Sequence, residues 1–179
     1  MALDLDENVE VDSVVSRDRS VESKVVFEDS SGLILRALSF PIDNLVMKYA
    51  NEVGISKKNA SEHASEVIRY LALCALYPQK KFPMARTVDR FWHEFIVNTV
   101  DYVNFCKAVA GRYIHHKPAG SSANDGGVDL MGDYKFFRFA YERHFGEAPP
   151  PQFWPNLELG PGGFGDCFNC WVMSDEDVV

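Results

Sequence analysis

The chain has 179 residues, 46% of them hydrophobic and 13% aromatic, with a formal net charge of −8. That length supports one domain with a real core and is too short for two comfortable ones, and the apolar content excludes a wholly disordered protein. The charge sits at the ends: residues 1–30 carry −6 and the last six −3, which leaves a body near neutrality and no global electrostatic basis for binding nucleic acid or anionic lipid.

The acidic ends read as solubilising tails, with docking on a basic protein partner as the alternative. No run approaches the roughly 18 apolar residues a membrane span needs. The start of the chain lacks the basic and apolar pattern of a secretory signal. Four cysteines, Cys74, Cys106, Cys167 and Cys170, are not spaced as a secreted disulfide framework. The expectation is a reduced, cytoplasmic protein without a membrane anchor.

In chain order, residues 1–24 show no sustained period and read as a disordered acidic tail. Lys24 to Phe27 and Leu33 to Leu38 are β-compatible runs around Ser30-Ser31-Gly32, forming a small hairpin or lying across the helices. Pro41 suits a first helical position, and Leu45, Val46, Tyr49, Ala50 and Val53 follow helical spacing up to a stop at Gly54. Ser56 is an N-cap for a helix to about Leu76, ended by Tyr77-Pro78. Thr87 is the expected cap of the clearest helix, where Val88, Phe91, Trp92, Phe95 and Ile96 recur at i, i+3, i+4, i+7 and i+8. A further helix begins near Thr99 and stops at Gly111.

Arg112 to Pro118 is extended by composition, with Pro118 disfavouring helix at His116. Residues 119–127 form a Gly/Ser/Asn/Asp loop. A last helix spans about Asp129 to His144, and Gly146 with Pro149-Pro150-Pro151 ends it. Phe153-Trp154-Pro155 is expected to fold back on the core, since two large aromatics are costly to leave in water. Gly160 to Gly165 and the Cys167-x-x-Cys170 pair read as an exposed, flexible tail. There is no internal repeat. The fold class expected is all-α: a single compact domain of about five helices over 25–157. A short β-like addition is expected at its N-terminal side, with flexible acidic ends at 1–24 and 158–179.

The chemistry concentrates between Asp89 and Pro118, which hold three of the five histidines. His93 follows Trp92 and so points about 100° around from the centre of the apolar face. Asp89 lies one helical turn earlier on the same side. A carboxylate at that spacing can fix the imidazole tautomer behind a metal or be a ligand itself. His115 and His116 follow the next helix, and in an extended backbone only one of the pair reaches a shared site. His144, on an apolar stripe, is a further candidate ligand. Cys106 is a candidate thiolate, although a small buried thiol is the ordinary reading of a cysteine among Tyr102, Phe105 and Val109. His63 reads as a surface or boundary residue.

Other motifs are weak. Cys106 has no Gly-framed elbow or oxyanion signature beside it. Glu94 follows His93 as in zinc hydrolases, but Val97 stands where a second histidine of His-Glu-x-x-His belongs. There is no P-loop or dinucleotide fingerprint, and Cys167-x-x-Cys170 is half a zinc knuckle.

The string Asp89-x-x-Trp92-His93-x-x-Ile96-x-x-Thr99-x-x-Tyr102-x-x-Phe105-Cys106, followed by Gly111-x-x-Ile114-His115-His116-x-Pro118 and ending in Tyr141-Glu142-Arg143-His144-Phe145-Gly146, resembles bacterial glycine-rich domain-containing proteins and plant proteins with a similar Trp-His segment. The likeness covers roughly residues 83–155. It implies a small helical domain with a Gly- or Cys-rich tail, here reduced to 160–165 and the cysteine pair, and supports the same site residues without implying a reaction. Three expectations follow. The first is a zinc or iron site on His93 and one of His115/His116, with Asp89, His144 or Cys106 completing it. The second is a non-catalytic interaction or regulatory module whose histidines are structural and whose acidic tails reach a protein partner. The third is a C-terminal Cys-Phe-Asn-Cys-Trp segment that is itself a substrate for modification.

Overall fold

The computed structural model describes residues 30–118, 129–156 and 168–173. The expectations for 1–24, Lys24–Phe27, the loop 119–127, Gly160–Gly165, Cys167 and the acids 175–177 lie outside these residues. A first helix, α1, covers 30–38. It is followed by α2 (Asp43–Val53), α3 (Lys57–Leu76), strand β1 (Pro83–Ala85), α4 (Arg86–Val97), α5 (Thr99–Val109), β2 (His115–Pro118), α6 (Leu130–Phe145) and β3 (Phe168–Met173). The protein is mostly helical.

The periodic segments become helices where their apolar stripes require it. In α2, Leu45, Val46, Tyr49 and Ala50 are buried. The helix ends on Gly54, whose φ of +72° is a left-handed conformation that costs a residue with a Cβ. Ser56 then caps α3, its hydroxyl accepting from the Asn59 N–H at 3.1 Å. Asp129 does the same for α6, accepting from Gly132 at 2.8 Å. The 20-residue α3 packs against α2, α4 and α6 and is buried around most of its last three turns. Trp154 folds back as expected: it is fully buried, and its ring stacks on Tyr70 at 5.7 Å. Losing an indole of this kind to alanine costs about 3–5 kcal/mol.

Two local expectations give way. Leu33–Leu38 lies in helix α1, not in a β-like segment. Short apolar runs do not separate strand from helix by themselves. Here Ile34 and Ala37, three apart, are the buried pair while Leu35 and Leu38 face outward, and the Arg36 Nε–H bonds the Ala108 carbonyl at 3.0 Å. Thr87 does not cap α4, which begins at Arg86 with Ala85 before it and no side-chain cap. The reason is that β1 runs straight into the helix, so pairing of Ala85 with β3 already sets its backbone. The Thr87 hydroxyl turns instead to the Phe153 carbonyl at 3.4 Å.

The larger departure from an all-helical chain is a three-stranded antiparallel sheet of order β1-β3-β2. Its middle strand comes from 168–173, a segment expected to be part of a flexible tail. Pro83 and Pro118 fall on the two outer strands, where a missing N–H is tolerated, and the middle strand has no proline. Among the described residues no helix is long and apolar enough to cross a membrane.

Candidate metal centre

Burial of Val88, Phe91, Trp92 and Phe95 fixes the rotation of α4. Asp89 and His93, one turn apart, are thereby left together on its flank. His116 arrives from β2 through a chain of contacts that starts at Trp92. The indole Nε1–H donates to the Tyr102 hydroxyl at 3.1 Å, and that hydroxyl donates to the Ile114 carbonyl at 2.6 Å. Two residues later, the His116 ring meets the Trp92 ring edge-on at 4.5 Å. The strand alternates its side chains, so His116 points to α4 while the His115 ring lies 4.8 Å from that of Tyr113.

The result is a compact group of Asp89, His93 and His116 able to hold a metal ion. His116 Nε2 stands 3.0 Å from His93 Nε2 and 2.9 Å from Asp89 Oδ1. His93 Nε2 is 3.8 Å from the same carboxylate oxygen. A neutral or charged imidazole carries at most one hydrogen on Nε2. From these three distances the two short contacts at His116 Nε2 diverge by about 80°, so one hydrogen shared between them is badly aligned with both. A cation has no such difficulty. The point equidistant from the three atoms lies about 1.9 Å from each, close to the roughly 2.0–2.2 Å of zinc–nitrogen and zinc–carboxylate bonds. Asp89, His93 and His116 are therefore the residues that would hold such an ion.

The side chains of His116 and Asp89 are 10% and 11% exposed, whereas that of His93 is 55% exposed. The group therefore has a dry side against Trp92 and a side open to solvent.

The other expected ligands go elsewhere. Among the described residues, His115, His144 and Cys106 are not part of this group. His144, at the end of α6, has its Nε2 2.8 Å from the Tyr77 hydroxyl, and burial holds its pKa below the ordinary imidazole value. Cys106 is buried in the core face of α5. His63 is half-buried, with Nδ1 3.0 Å from the Tyr49 hydroxyl.

A second polar cluster has no counterpart in the sequence reading. Glu66, buried on α3, accepts the Trp154 Nε1–H at 2.6 Å and lies 3.0 Å from the Tyr141 hydroxyl through both oxygens. Arg69 Nη1 is 3.4 Å away and also pairs with Glu147 at 2.7 Å. Burial raises the Glu66 pKa despite these donors. The available signal was Trp154 itself, because a buried indole N–H needs an acceptor. A cleft of about 670 Å³ opens beside this cluster, lined among others by Lys57, Lys58 and Arg69.

A family model described as UCP032817-like matches residues 33–132. The chain belongs to the UCP032817-like family. The UCP032817-like match runs from within α1 through α2 to α5, β1 and β2 to the first residues of α6, and takes in all three residues of the candidate centre, while β3 lies beyond it. No curated protein and no solved structure matches the chain.

Proposed function

We propose that this protein binds one transition-metal ion, zinc or ferrous iron, through Asp89 Oδ1, His93 Nε2 and His116 Nε2. The observation that carries the reading is the triangle of donor atoms, too close for one hydrogen to satisfy and sized for an ion at its centre. Two imidazoles and a carboxylate suit zinc or non-haem iron, and three protein ligands leave a position for water or substrate. An ion held this way would polarise a carbonyl or acidify a bound water, which places metal-assisted hydrolysis or oxygen chemistry within reach. The kinship with glycine-rich domain-containing proteins belongs to the same proposal, resting on the Trp92-His93 and His115-His116 segments.

Titration of chelator-treated protein with zinc and, anaerobically, with ferrous iron tests the reading, followed by elemental analysis. One equivalent bound by the unaltered chain, and lost in His93→Ala and His116→Ala but kept in His144→Ala, is the expected result. Sub-stoichiometric metal indifferent to both site changes overturns it.

The 2.9 Å contact of His116 with Asp89 favours a second reading, in which the histidines are structural and the molecule is an interaction module. That reading predicts no bound metal, and a melting temperature unmoved by chelator.

A further inference from the structure

We infer that β3 is the positioning strand of the metal triad, the element that sets how α4 and β2 face each other; the inference rests on the metal reading above. The three ligands come from two separate units. Asp89 and His93 belong to α4, which continues β1 without an intervening residue, and His116 lies within β2. Those two strands do not pair with each other. Each pairs with β3, which lies between them.

Residues of β3 face both units at once. Trp171 is opposite Pro83 on one side and Lys117 on the other, and Cys170 is opposite Met84 and Pro118. His116 itself is opposite Val172. Neighbouring strands lie about 4.7–4.9 Å apart, so the outer strands stand two such spacings from each other. Among the described residues, the backbone pairing that links the β1–α4 unit to β2 runs through β3. The remaining restraint runs through side chains, from Trp92 to Tyr102 and His116. Loss of β3 pairing therefore loosens the triad and leaves the helical core, built on α3, in place. Positioning of this kind typically carries about 10–100-fold in metal affinity.

The test uses the full chain. Pro83 and Pro118 have no N–H, so alternation makes Lys117–Trp171 the hydrogen-bonded pair and turns the Val172 N–H toward β1. Val172→Pro removes that ladder N–H and breaks the β1–β3 pairing, and Val172→Ala serves as the control. Zinc affinity is measured by competition with a chromophoric chelator, and helix content by circular dichroism. The expected result is a zinc Kd raised at least about tenfold in Val172→Pro, unchanged in Val172→Ala, with helix content kept in both. A Val172→Pro protein that is folded and binds zinc as tightly as the unaltered chain overturns the inference. If Val172→Pro does not fold, amide hydrogen exchange of the unaltered protein decides. Linkage is reciprocal, so zinc must slow exchange across 168–173 relative to Asp43–Val53 in α2. Zinc that binds and leaves exchange at 168–173 unchanged overturns the inference while the metal reading stands. Failure of the unaltered chain to bind zinc or iron overturns the metal reading itself.

Discussion

Glu66 and Asp89 are both buried acids, 4% and 7% exposed, and both face aromatic nitrogen at hydrogen-bond distance. Around Glu66, each neighbour can donate: the Trp154 indole, the Tyr141 hydroxyl and the Arg69 guanidinium. Asp89 has two imidazoles among its neighbours, which bring lone pairs as well as hydrogens, and one of their nitrogens is engaged twice. Glu66 thus accepts from three side chains, and ties α3 to α6 and the 150–155 turn. A carboxylate beside imidazoles has neighbours that accept as well as donate, and such a group could hold a cation. The difference separates the Glu66 network from the candidate ligand group more clearly than burial does.

The sharpest way to break that comparison is to delete one donor on each side. His116→Ala should weaken zinc binding by more than about 100-fold, with little change in the melting temperature of the metal-free protein. A His116→Ala protein that melts far below the unaltered metal-free chain would make the triad structural like the Glu66 cluster. Trp154→Phe should do the reverse. It leaves Glu66 short of a donor and costs about 2–3 kcal/mol, a fall of roughly 5–10 °C in Tm for a chain of this size, with the zinc Kd unchanged. A Trp154→Phe protein with altered zinc affinity would mean that the two regions are coupled.

Acidification gives a smaller effect with a definite sign. Burial holds both His63 and His144 below the ordinary imidazole value of 6.5. The unfolded chain therefore takes up these protons first. The stability these residues contribute is complete above 6.5 and is lost as the pH falls through that value toward their folded pKa. Tm should drop between about pH 7.5 and about pH 5.5, and a His63→Gln, His144→Gln double variant should flatten the profile. Glu66 acts in the opposite sense at lower pH. Its raised pKa favours the folded state below the unfolded carboxyl value, and this contribution fades as pH rises through the folded one. The smallest change is Ser56→Ala, which removes the α3 cap for about 1 kcal/mol, or roughly 2–4 °C. Its zinc affinity should stay constant, which separates general destabilisation from damage to the centre.

Much of the candidate centre was legible because its first half is local. Asp89 and His93 share a flank through helical spacing alone, and strand alternation dictates that only one of His115 and His116 joins them. The choice of His116 was not legible, since the facing direction of β2 depends on Trp92 and on the path of Tyr102 to Ile114. His144 and Cys106 were plausible ligands by residue type. Neither joins the group: His144 is held by Tyr77 just past the end of α3, and Cys106 is buried in the core face of α5.

Sequence alone therefore determined the helical periods of α2 to α6, the caps at Ser56 and the stop at Gly54, the return of Trp154 to the core and the Asp89–His93 pair. Each of these is settled by neighbours within a turn or two, or by the cost of leaving apolar surface in water. Only the tertiary structure decided that 30–38 is helical, that 168–173 forms the middle of a sheet, that Glu66 is buried against Trp154, and that His116 closes the triad. Those outcomes depend on pairings between segments tens of residues apart, where the energy lies in the contact formed and no local pattern announces the partner.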